Sequence, residues 1–253
     1  MDTHNQTVHQ LRNKVSAAEW QARLDLAALY RLAHHFRLTD TIYTHISMRV
    51  PGSENFLINS FGLMYDEITA SGLVRLDVHG NILEDPTGLG INYAGYIIHG
   101  AIHSARPDIM CVMHTHTRSG IAVSAQVHGL LPISQHASLL SGRVAHHKYE
   151  GVAFNKEEQA RLVRDLGPHY AMILDNHGLL TAGRSAGQCF WLMLTLERAC
   201  EAQIAALAGG TALHMITPEA EEASLNAVDT VDFVRDWAAM LRLVKRTAPD
   251  YAN

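Results

Sequence analysis

Residues 109–116, with the sequence IMCVMHTH, combine an apolar run with two histidines at its end. A short apolar run of this kind predicts a buried strand. Residues two positions apart in a strand point to the same face, so His114 and His116 would present their imidazoles together. Cys111 and Met113 would then face a core on the other side. Since two imidazoles on one face commonly supply nitrogen ligands to zinc, the stretch predicts a strand that carries part of a metal site.

A third ligand has to come from elsewhere in the chain, and His177 is the leading candidate. It lies in Asn176-His177-Gly178, an abrupt break between two predicted strand segments, 171–174 and 179–182. Three histidines with one open coordination position are typical of catalytic zinc. Yet in a chain with 17 histidines a His-x-His pair also arises by chance, and buried histidines often serve only as hydrogen-bonded core. The spacing alone leaves both interpretations open.

The composition narrows the class of protein. The chain has 253 residues, 47% hydrophobic and 18% charged, which is typical of a globular protein with a sizeable core. A net charge of -5 and the lack of a basic run argue against a nucleic-acid partner. No apolar stretch approaches the roughly 18 residues of a membrane span, and residues 1–14 lack the core of a secretory signal. With three cysteines, an odd number, we expect reduced thiols and a cytoplasmic protein.

Helix and strand patterns interleave along the chain without an internal repeat or a dividing linker. Capping-box spacing at Ser16 and Glu19 predicts a first helix that runs to about residue 35. A hairpin of strands 43–50 and 56–59 follows, and such early hairpins favour an antiparallel or mixed sheet. Further helices are predicted at 96–105, 117–125, 156–166, 186–207 and 228–244. We therefore expect one α/β domain over residues 1–253, with 1–15 as a flexible N-terminal segment.

The segments around the histidines resemble the class II aldolase/adducin superfamily, which contains fuculose-phosphate aldolase, ribulose-phosphate epimerase and the adducin head domain. The resembling segments are 91–96 through 105–108, 112–116, 129–134 and 175–179, with weaker similarity over 39–66. The resemblance implies a three-layer α/β/α domain around a central, largely antiparallel sheet. It also implies a homotetramer with its sites at subunit interfaces. Carried over by position, His114, His116 and His177 match the family's metal ligands, with zinc as the first expectation and manganese or iron as alternatives.

The chain departs from the sugar-phosphate enzymes of this family at several positions. Those enzymes carry an acid/base carboxylate 19 positions before the first metal histidine, where this chain has Gly95. Their serine pair corresponds to Tyr93 and Ala94, and only Ser47 clearly keeps the pattern of their phosphate-binding loop. A phosphorylated substrate is therefore not expected. In these features the chain is closer to adducin, a cytoskeletal binding protein, so family membership alone does not establish catalysis.

Other histidines can take over the proton transfer of the missing carboxylate, because an imidazole titrates near neutral pH. The resemblance places His45 near the substrate. It places His136 where the enzymes have a tyrosine that reaches a neighbouring subunit's site as a proton donor. These two are the catalytic candidates, and for each the alternative is a structural histidine. The candidates for substrate binding are Ser47, Arg118, His99 and His103, of which the last two share one helix face.

Three functional hypotheses follow. The first is a metal-dependent carbon–carbon lyase, an aldolase or decarboxylase acting on a small unphosphorylated hydroxy- or keto-acid, aromatic acids included, through a metal-stabilised enolate. Decarboxylation suits a chain without the carboxylate, because it needs a weaker base than aldol cleavage. The second is a non-catalytic, adducin-like protein-binding module, which the missing carboxylate favours and the metal triad disfavours. The third is a metal-dependent oxygenase, since three histidines also suit iron.

Overall fold

A single eight-stranded sheet organises the computed structural model, which describes residues 11–152 and 155–253. Its strands are β1 (His45–Arg49), β2 (Phe56–Ile58), β3 (Val74–Leu76), β4 (Ile82–Glu84), β5 (Cys111–Thr115), β6 (Val144–His147), β7 (Ala171–Leu174) and β8 (Gly178–Gly183). Their order across the sheet is β4-β3-β2-β1-β5-β8-β7-β6. Neighbouring strands are antiparallel except β6 and β7, so the expected largely antiparallel sheet is confirmed.

Helices cover both faces of this sheet. They are α1 (Ala17–His35), α2 (Tyr93–Ala105), α3 (Arg118–Ser124), α4 (Gln135–Ser138), α5 (Glu158–Leu166), α6 (Ala186–Ala208), α7 (Pro218–Val228) and α8 (Phe233–Thr247). None of the described helices combines the length and the apolar character that crossing a bilayer requires.

The alternation of side chains along β5 divides the interior into two cores. Cys111 and Met113 belong to the core that includes α1 and α6, whereas Val112 points into the core formed with α2 and α5. Because successive strand residues face opposite sides of a sheet, one apolar strand supplies both cores. The expected three-layer α/β/α architecture is confirmed. The three cysteines are free and buried.

Several element boundaries differ from the sequence-based expectation. Helix α2 begins at Tyr93, three residues early, because the Asn92 side chain accepts a hydrogen bond from the Ala94 N–H. The last helix, predicted at 228–244, is observed as α8 and begins five residues later than predicted, because the Asp232 side chain caps it by accepting from the Arg235 N–H. Helix α7 was not predicted.

The structure describes residues 11–14 of the N-terminal segment. These four residues are helical, and Leu11 is buried in the core beside α1. A side chain in that position contacts the domain core, and the flexibility of residues 1–15 stays a prediction. The remainder of the predicted flexible segment, residues 1–10, lies outside the described residues.

The antiparallel arrangement of β1, β5 and β8 assembles one end of the sheet. His45 at the start of β1 is the register partner of His114 near the end of β5. On the other side of β5, Thr115 pairs with Leu179, so the start of β8 lies beside the end of β5. Residues that are distant in sequence thereby meet at one sheet edge.

Candidate metal centre and its cavity

The three predicted metal ligands converge at this edge. Nε2 of His116 lies 2.8 Å from Nε2 of His114 and 2.9 Å from Nε2 of His177. Within the described ranges, these three residues are the only group of three or more potential ligands whose donor atoms lie within 4.8 Å of one another. His114 is buried, and the other two are half-buried.

The protonation of the imidazoles fits a cation at their centre. Nδ1 of His114 lies 2.9 Å from the Leu179 carbonyl oxygen, and Nδ1 of His116 lies 3.1 Å from a carboxylate oxygen of Asp40. Both oxygens accept, so both Nδ1 atoms carry a proton, and in the neutral imidazoles both Nε2 atoms would present bare lone pairs to each other. Two lone pairs at this distance repel unless a cation shares them. Zinc–nitrogen bonds of about 2.0–2.1 Å in tetrahedral geometry separate the nitrogens by about 3.3 Å, so a small outward movement accommodates the ion.

Burial keeps these ligands in the form that binds metal. Desolvation, reinforced by the neighbouring imidazoles, holds the pKa of His114 well below its usual range. Desolvation likewise lowers the pKa of His177 to about 4, with His116 adding to the shift. Because metal ligation requires a neutral imidazole, His114 and His177 are ready to bind a divalent ion at neutral pH. Asp40 and Leu179 orient two of the ligands from behind.

A tight turn places His177 beside the other two ligands. Asn176 adopts the left-handed backbone conformation, with φ of 55°. Gly178 follows, and a Cβ atom there would lie 2.3 Å from the Thr115 carbonyl oxygen. Glycine is therefore required at residue 178 for β8 to begin in contact with the end of β5.

A cavity of about 520 Å³ opens over the histidines. Much of its wall is aromatic, formed by Tyr43, Phe61, Tyr93 and Tyr149, and no lysine or arginine occurs among its described lining residues. The three metal histidines and His45 also line it. The cavity thus joins a metal centre to an aromatic wall.

His45 occupies the space that faces Gly95. Its ring centroid lies 5.2 Å from that of His114. A Cβ atom at residue 95 would lie 2.8 Å from Cδ2 of His45, closer than carbon atoms approach without a shift. No side chain fits at residue 95 while His45 keeps this position. The absence of a carboxylate at residue 95 and the position of the His45 imidazole therefore depend on each other.

A buried hydrogen-bonded chain holds His45 from behind. Nδ1 of His45 lies 2.8 Å from Nε2 of His99, whose Nδ1 lies 2.6 Å from the Ser47 hydroxyl. The same hydroxyl lies 2.8 Å from Nε2 of His103. Desolvation lowers the pKa of His45 and His99 well below their usual range and that of His103 to about 3. All three imidazoles are therefore neutral at physiological pH.

The remaining candidates lie away from the cavity. Ser47, His99 and His103 are buried and are not among its lining residues, so in this structure they contact His45 and one another, which differs from the expected substrate contact. Arg118 at the start of α3 and His136 on α4 are exposed and also lie outside the described lining. The role predicted for His136 requires a neighbouring subunit and stays a prediction.

Sequence reasoning missed Asp40 and the aromatic wall. The only signal for Asp40 is a carboxylate between the first helix and the first strand, which is common and unspecific. Phe61 and Tyr149 come from segments far apart in sequence, and no local pattern indicates that they face one cavity. Contacts of this kind depend on the folded sheet.

Comparison with known proteins relates the fold to one family. Residues 24–204 match the family described as Class II Aldolase and Adducin N-terminal domain. A crystal structure of an aldolase II superfamily protein from Pseudomonas syringae has a TM-score of 0.89 and 53% identity, covering 96% of this chain and 99% of that one. Alpha-adducin of Rattus norvegicus is 45% identical over 208 residues, which are 79% of this chain but 28% of that protein.

A more distant solved structure shares the same fold. L-fuculose 1-phosphate aldolase from Glaciozyma antarctica has a TM-score of 0.82 at 24% identity, covering 94% of each chain. At this level of identity the likeness extends to the fold alone, and substrate and activity have to be argued from the residues of the site.

Proposed function

The chain belongs to the class II aldolase/adducin family, and from this membership we propose that it is a metal-dependent carbon–carbon lyase. Its reaction is aldol cleavage or decarboxylation of a small unphosphorylated hydroxy- or keto-acid. The observation that carries the proposal is the convergence of three histidine Nε2 atoms inside an open cavity, with Nδ1 of His114 and Nδ1 of His116 each facing an oxygen acceptor. An open three-histidine site is the arrangement of a catalytic metal centre.

The charge of the cavity supports an unphosphorylated substrate. Proteins hold phosphate groups with arginine, lysine or clustered backbone N–H groups. Among the described lining residues there is neither arginine nor lysine. The main attraction for a substrate anion would therefore come from the metal site, which suits a carboxylate with a neighbouring hydroxyl or carbonyl oxygen.

The three histidines and His45 would divide the chemistry. A divalent ion on His114, His116 and His177 would supply Lewis-acid stabilisation of the negative charge that develops when the carbon–carbon bond breaks. His45 would transfer the proton to or from the substrate carbon or oxygen. Because its Nδ1 is engaged by His99, the atom left for the substrate is Nε2.

The buried chain has two alternative hydrogen-bond arrangements, which leave Nε2 of His45 either bare or protonated. Conversion of one into the other would require a proton to leave at Nδ1 of His103, which is buried. The Ser47 hydroxyl has a single proton, so it donates either to His99 or to His103. When the hydroxyl donates to Nε2 of His103, it accepts from Nδ1 of His99. Nε2 of His99 then accepts from Nδ1 of His45, which leaves Nε2 of His45 without a proton. When the hydroxyl donates to His99, each bond reverses, and Nε2 of His45 carries a proton. Ser47, His99 and His103 are thus proposed as positioning residues for His45.

The same proposal includes the identity of the metal, the roles of His136 and Arg118, and the cellular compartment. Zinc is the proposed metal, on the all-imidazole ligand set, with manganese and iron as alternatives. His136 is proposed to donate a proton into a neighbouring subunit's site within a homotetramer. Arg118 stays a candidate for binding a substrate carboxylate. The three free, buried cysteines agree with a reducing compartment, which we propose to be the cytoplasm.

A non-catalytic binding module is the second candidate. The 45% identity to alpha-adducin and the glycine at residue 95 favour it. This candidate gives no reason for the ligand-ready protonation of His114 and His116. The two candidates therefore differ in whether the metal centre turns over a substrate.

An activity screen separates them. Carbon dioxide and carbonyl products would be measured for a panel of hydroxy- and keto-acids with the zinc-loaded chain, the chelated chain, the reloaded chain and the His177→Ala variant. Product release that requires both the metal and His177 is the expected result. If the zinc-loaded chain releases no product from any acid, the lyase proposal is wrong and the binding module remains.

A further inference from the structure

Four aromatic residues line the cavity together with the three histidines, and they are called the aromatic wall: Tyr43, Phe61, Tyr93 and Tyr149. The Tyr43 and Phe61 rings lie with their centroids 6.3 Å apart, and the Tyr149 ring centroid lies 6.2 Å from that of His177. Tyr93 lies at the start of α2. At least one ring of the wall therefore lies beside a predicted metal ligand.

These rings are unusually exposed for their type. Tyr43 and Tyr149 are each 51% exposed, and Tyr93 is 42% exposed. Apolar aliphatic side chains, Ile91 and Val152, continue the same surface. Exposed apolar surface gathered around a concave site, with a few polar groups at one end, marks a ligand pocket rather than ordinary surface.

The size of the cavity favours a substrate larger than a three-carbon acid. About 520 Å³ corresponds to about 17 water molecules at roughly 30 Å³ each. A three-carbon hydroxy acid has six non-hydrogen atoms and would leave most of that space to water. It would also leave the aromatic wall in contact with solvent.

The charge of the lining residues determines which kind of large substituent on a substrate can bind against the aromatic wall. No lysine or arginine occurs in the described lining, so a second anionic group such as a phosphate finds no counter-charge there. A cationic group could stack on the rings, but a divalent ion on the neighbouring histidines would repel it. A neutral, flat ring stacks on aromatic side chains without either penalty.

We propose that the substrate is an aryl-bearing hydroxy- or keto-acid, whose oxygens lie at the histidine end and whose ring lies against Tyr43, Phe61, Tyr93 and Tyr149. The proposal rests on the lyase function and adds its substrate class. Removal of one phenyl ring from water against such a wall corresponds to a gain of roughly 10- to 100-fold in affinity.

The test is a comparison of binding by isothermal titration calorimetry to the zinc-loaded, full-length chain. Mandelate and lactate share the 2-hydroxy-acid group and differ in phenyl against methyl. Hexahydromandelate replaces the phenyl group with a saturated ring, and phosphoglycolate adds a phosphate. The expected order is mandelate, then hexahydromandelate, then lactate, with mandelate at least tenfold tighter than lactate and phosphoglycolate no tighter than lactate.

Substitutions in the aromatic wall test whether its residues cause the expected preference for mandelate over lactate. Phe61→Ala and Tyr149→Ala should each reduce the mandelate-to-lactate ratio several-fold while lactate affinity and zinc content stay unchanged. Tyr149→Phe, the matched control, should keep the ratio because it keeps the ring.

Equal binding of mandelate and lactate, or tighter binding of phosphoglycolate, would overturn the aryl proposal. Lactate binding that still required zinc would leave the lyase proposal standing. A Phe61→Ala chain that keeps its ratio but changes its oligomeric state would show that the rings form a subunit interface, which also overturns the aryl proposal.

Discussion

His45 and Gly95 share one space beside the metal ligands, and the side chain of one determines what the other can be. A Cβ atom at residue 95 would overlap the His45 ring, with 2.8 Å to Cδ2. A carboxylate could therefore not be restored at this position without moving the imidazole. The proposed proton-transfer imidazole of His45 lies beside the predicted metal ligands, with its ring centroid 5.2 Å from that of His114.

The first prediction concerns the coupling of these two residues. Gly95→Ala in the wild-type chain should destabilise the apo protein by about 1–3 kcal/mol, because the added methyl group overpacks against a buried ring. In the His45→Ala background the same change should be neutral or stabilising by up to ~1 kcal/mol, since alanine favours a helix over glycine. Urea denaturation of the four proteins gives the coupling energy. An equal effect of Gly95→Ala in both backgrounds would disprove the overlap.

The second prediction concerns His103, which is buried and neutral. Desolvation, followed by the nearby positive charge of Arg49, lowers its folded-state pKa to about 3, whereas unfolded histidine titrates near 6.5. Between these two values the unfolded chain binds a proton that the folded chain refuses, so stability falls as pH decreases from 6.5 towards 3. Each such histidine contributes a slope of about 1.4 kcal/mol per pH unit.

His103→Gln should therefore lose less stability on acidification than the wild-type chain. Urea denaturation of the apo proteins at pH 7, 6 and 5 measures the difference in slope. His99 also has a lowered pKa and faces the same hydroxyl of Ser47, so the wild-type slope exceeds that of a single group. Identical slopes for His103→Gln and wild type would mean that His103 is not held neutral in the folded chain.

At the scale of secondary structure, three antiparallel strands bring the site together at one sheet edge. His45 begins β1, His114 lies near the end of β5, and His177 precedes β8. The positions depend on how closely β8 approaches β5, and that approach depends on the missing side chain at Gly178. The metal centre is thus a consequence of strand register and of one glycine.

The third prediction tests this approach. Gly178→Ala should lower zinc affinity at least tenfold and destabilise the apo chain by about 1–3 kcal/mol, because its Cβ would lie 2.3 Å from the Thr115 carbonyl oxygen. Gly209→Ala is the matched control, since it meets only ordinary contacts at the end of α6. Zinc titration with a chromogenic chelator measures the affinity. Unchanged affinity in Gly178→Ala would contradict the proposed role of the turn.

Elements with strong local signals could be predicted from the sequence, and long-range contacts could not. Ser16 caps a helix as expected, and the apolar stretch of β5 forms a strand that supplies two cores. The start of the helix predicted at 228–244 was misplaced by five residues because the true start depends on a cap at Asp232. The pairing of Asp40 with His116 spans 76 residues, so no local pattern encodes it.

At the scale of the whole molecule, this member of the class II aldolase/adducin family has its three-histidine cluster in a cavity at the edge of the sheet. His136 is exposed and lies outside the described lining of that cavity. Its proposed proton transfer therefore requires a neighbouring chain, and the site would be completed only in the assembly.

The fourth prediction follows from this arrangement. Light scattering of the purified protein should give the mass of four chains, because the proposed role of His136 needs a neighbouring subunit. His136→Gln should leave that mass and the zinc content unchanged, since the residue is exposed on a short helix. A stable monomer would contradict the cross-subunit role and leave His45 as the remaining proton-transfer candidate.

The most direct measurement is the metal content of freshly purified protein by inductively coupled plasma mass spectrometry, for the wild-type chain and for the His114→Ala, His177→Ala and His34→Ala variants. His34 is an exposed histidine on α1 and serves as the control. We expect about one divalent ion per chain in wild type and His34→Ala, and a strong loss in both ligand variants, with circular dichroism showing that they are folded. Absence of stoichiometric metal in wild type, or metal that persists in both ligand variants, would disprove the three-histidine metal site.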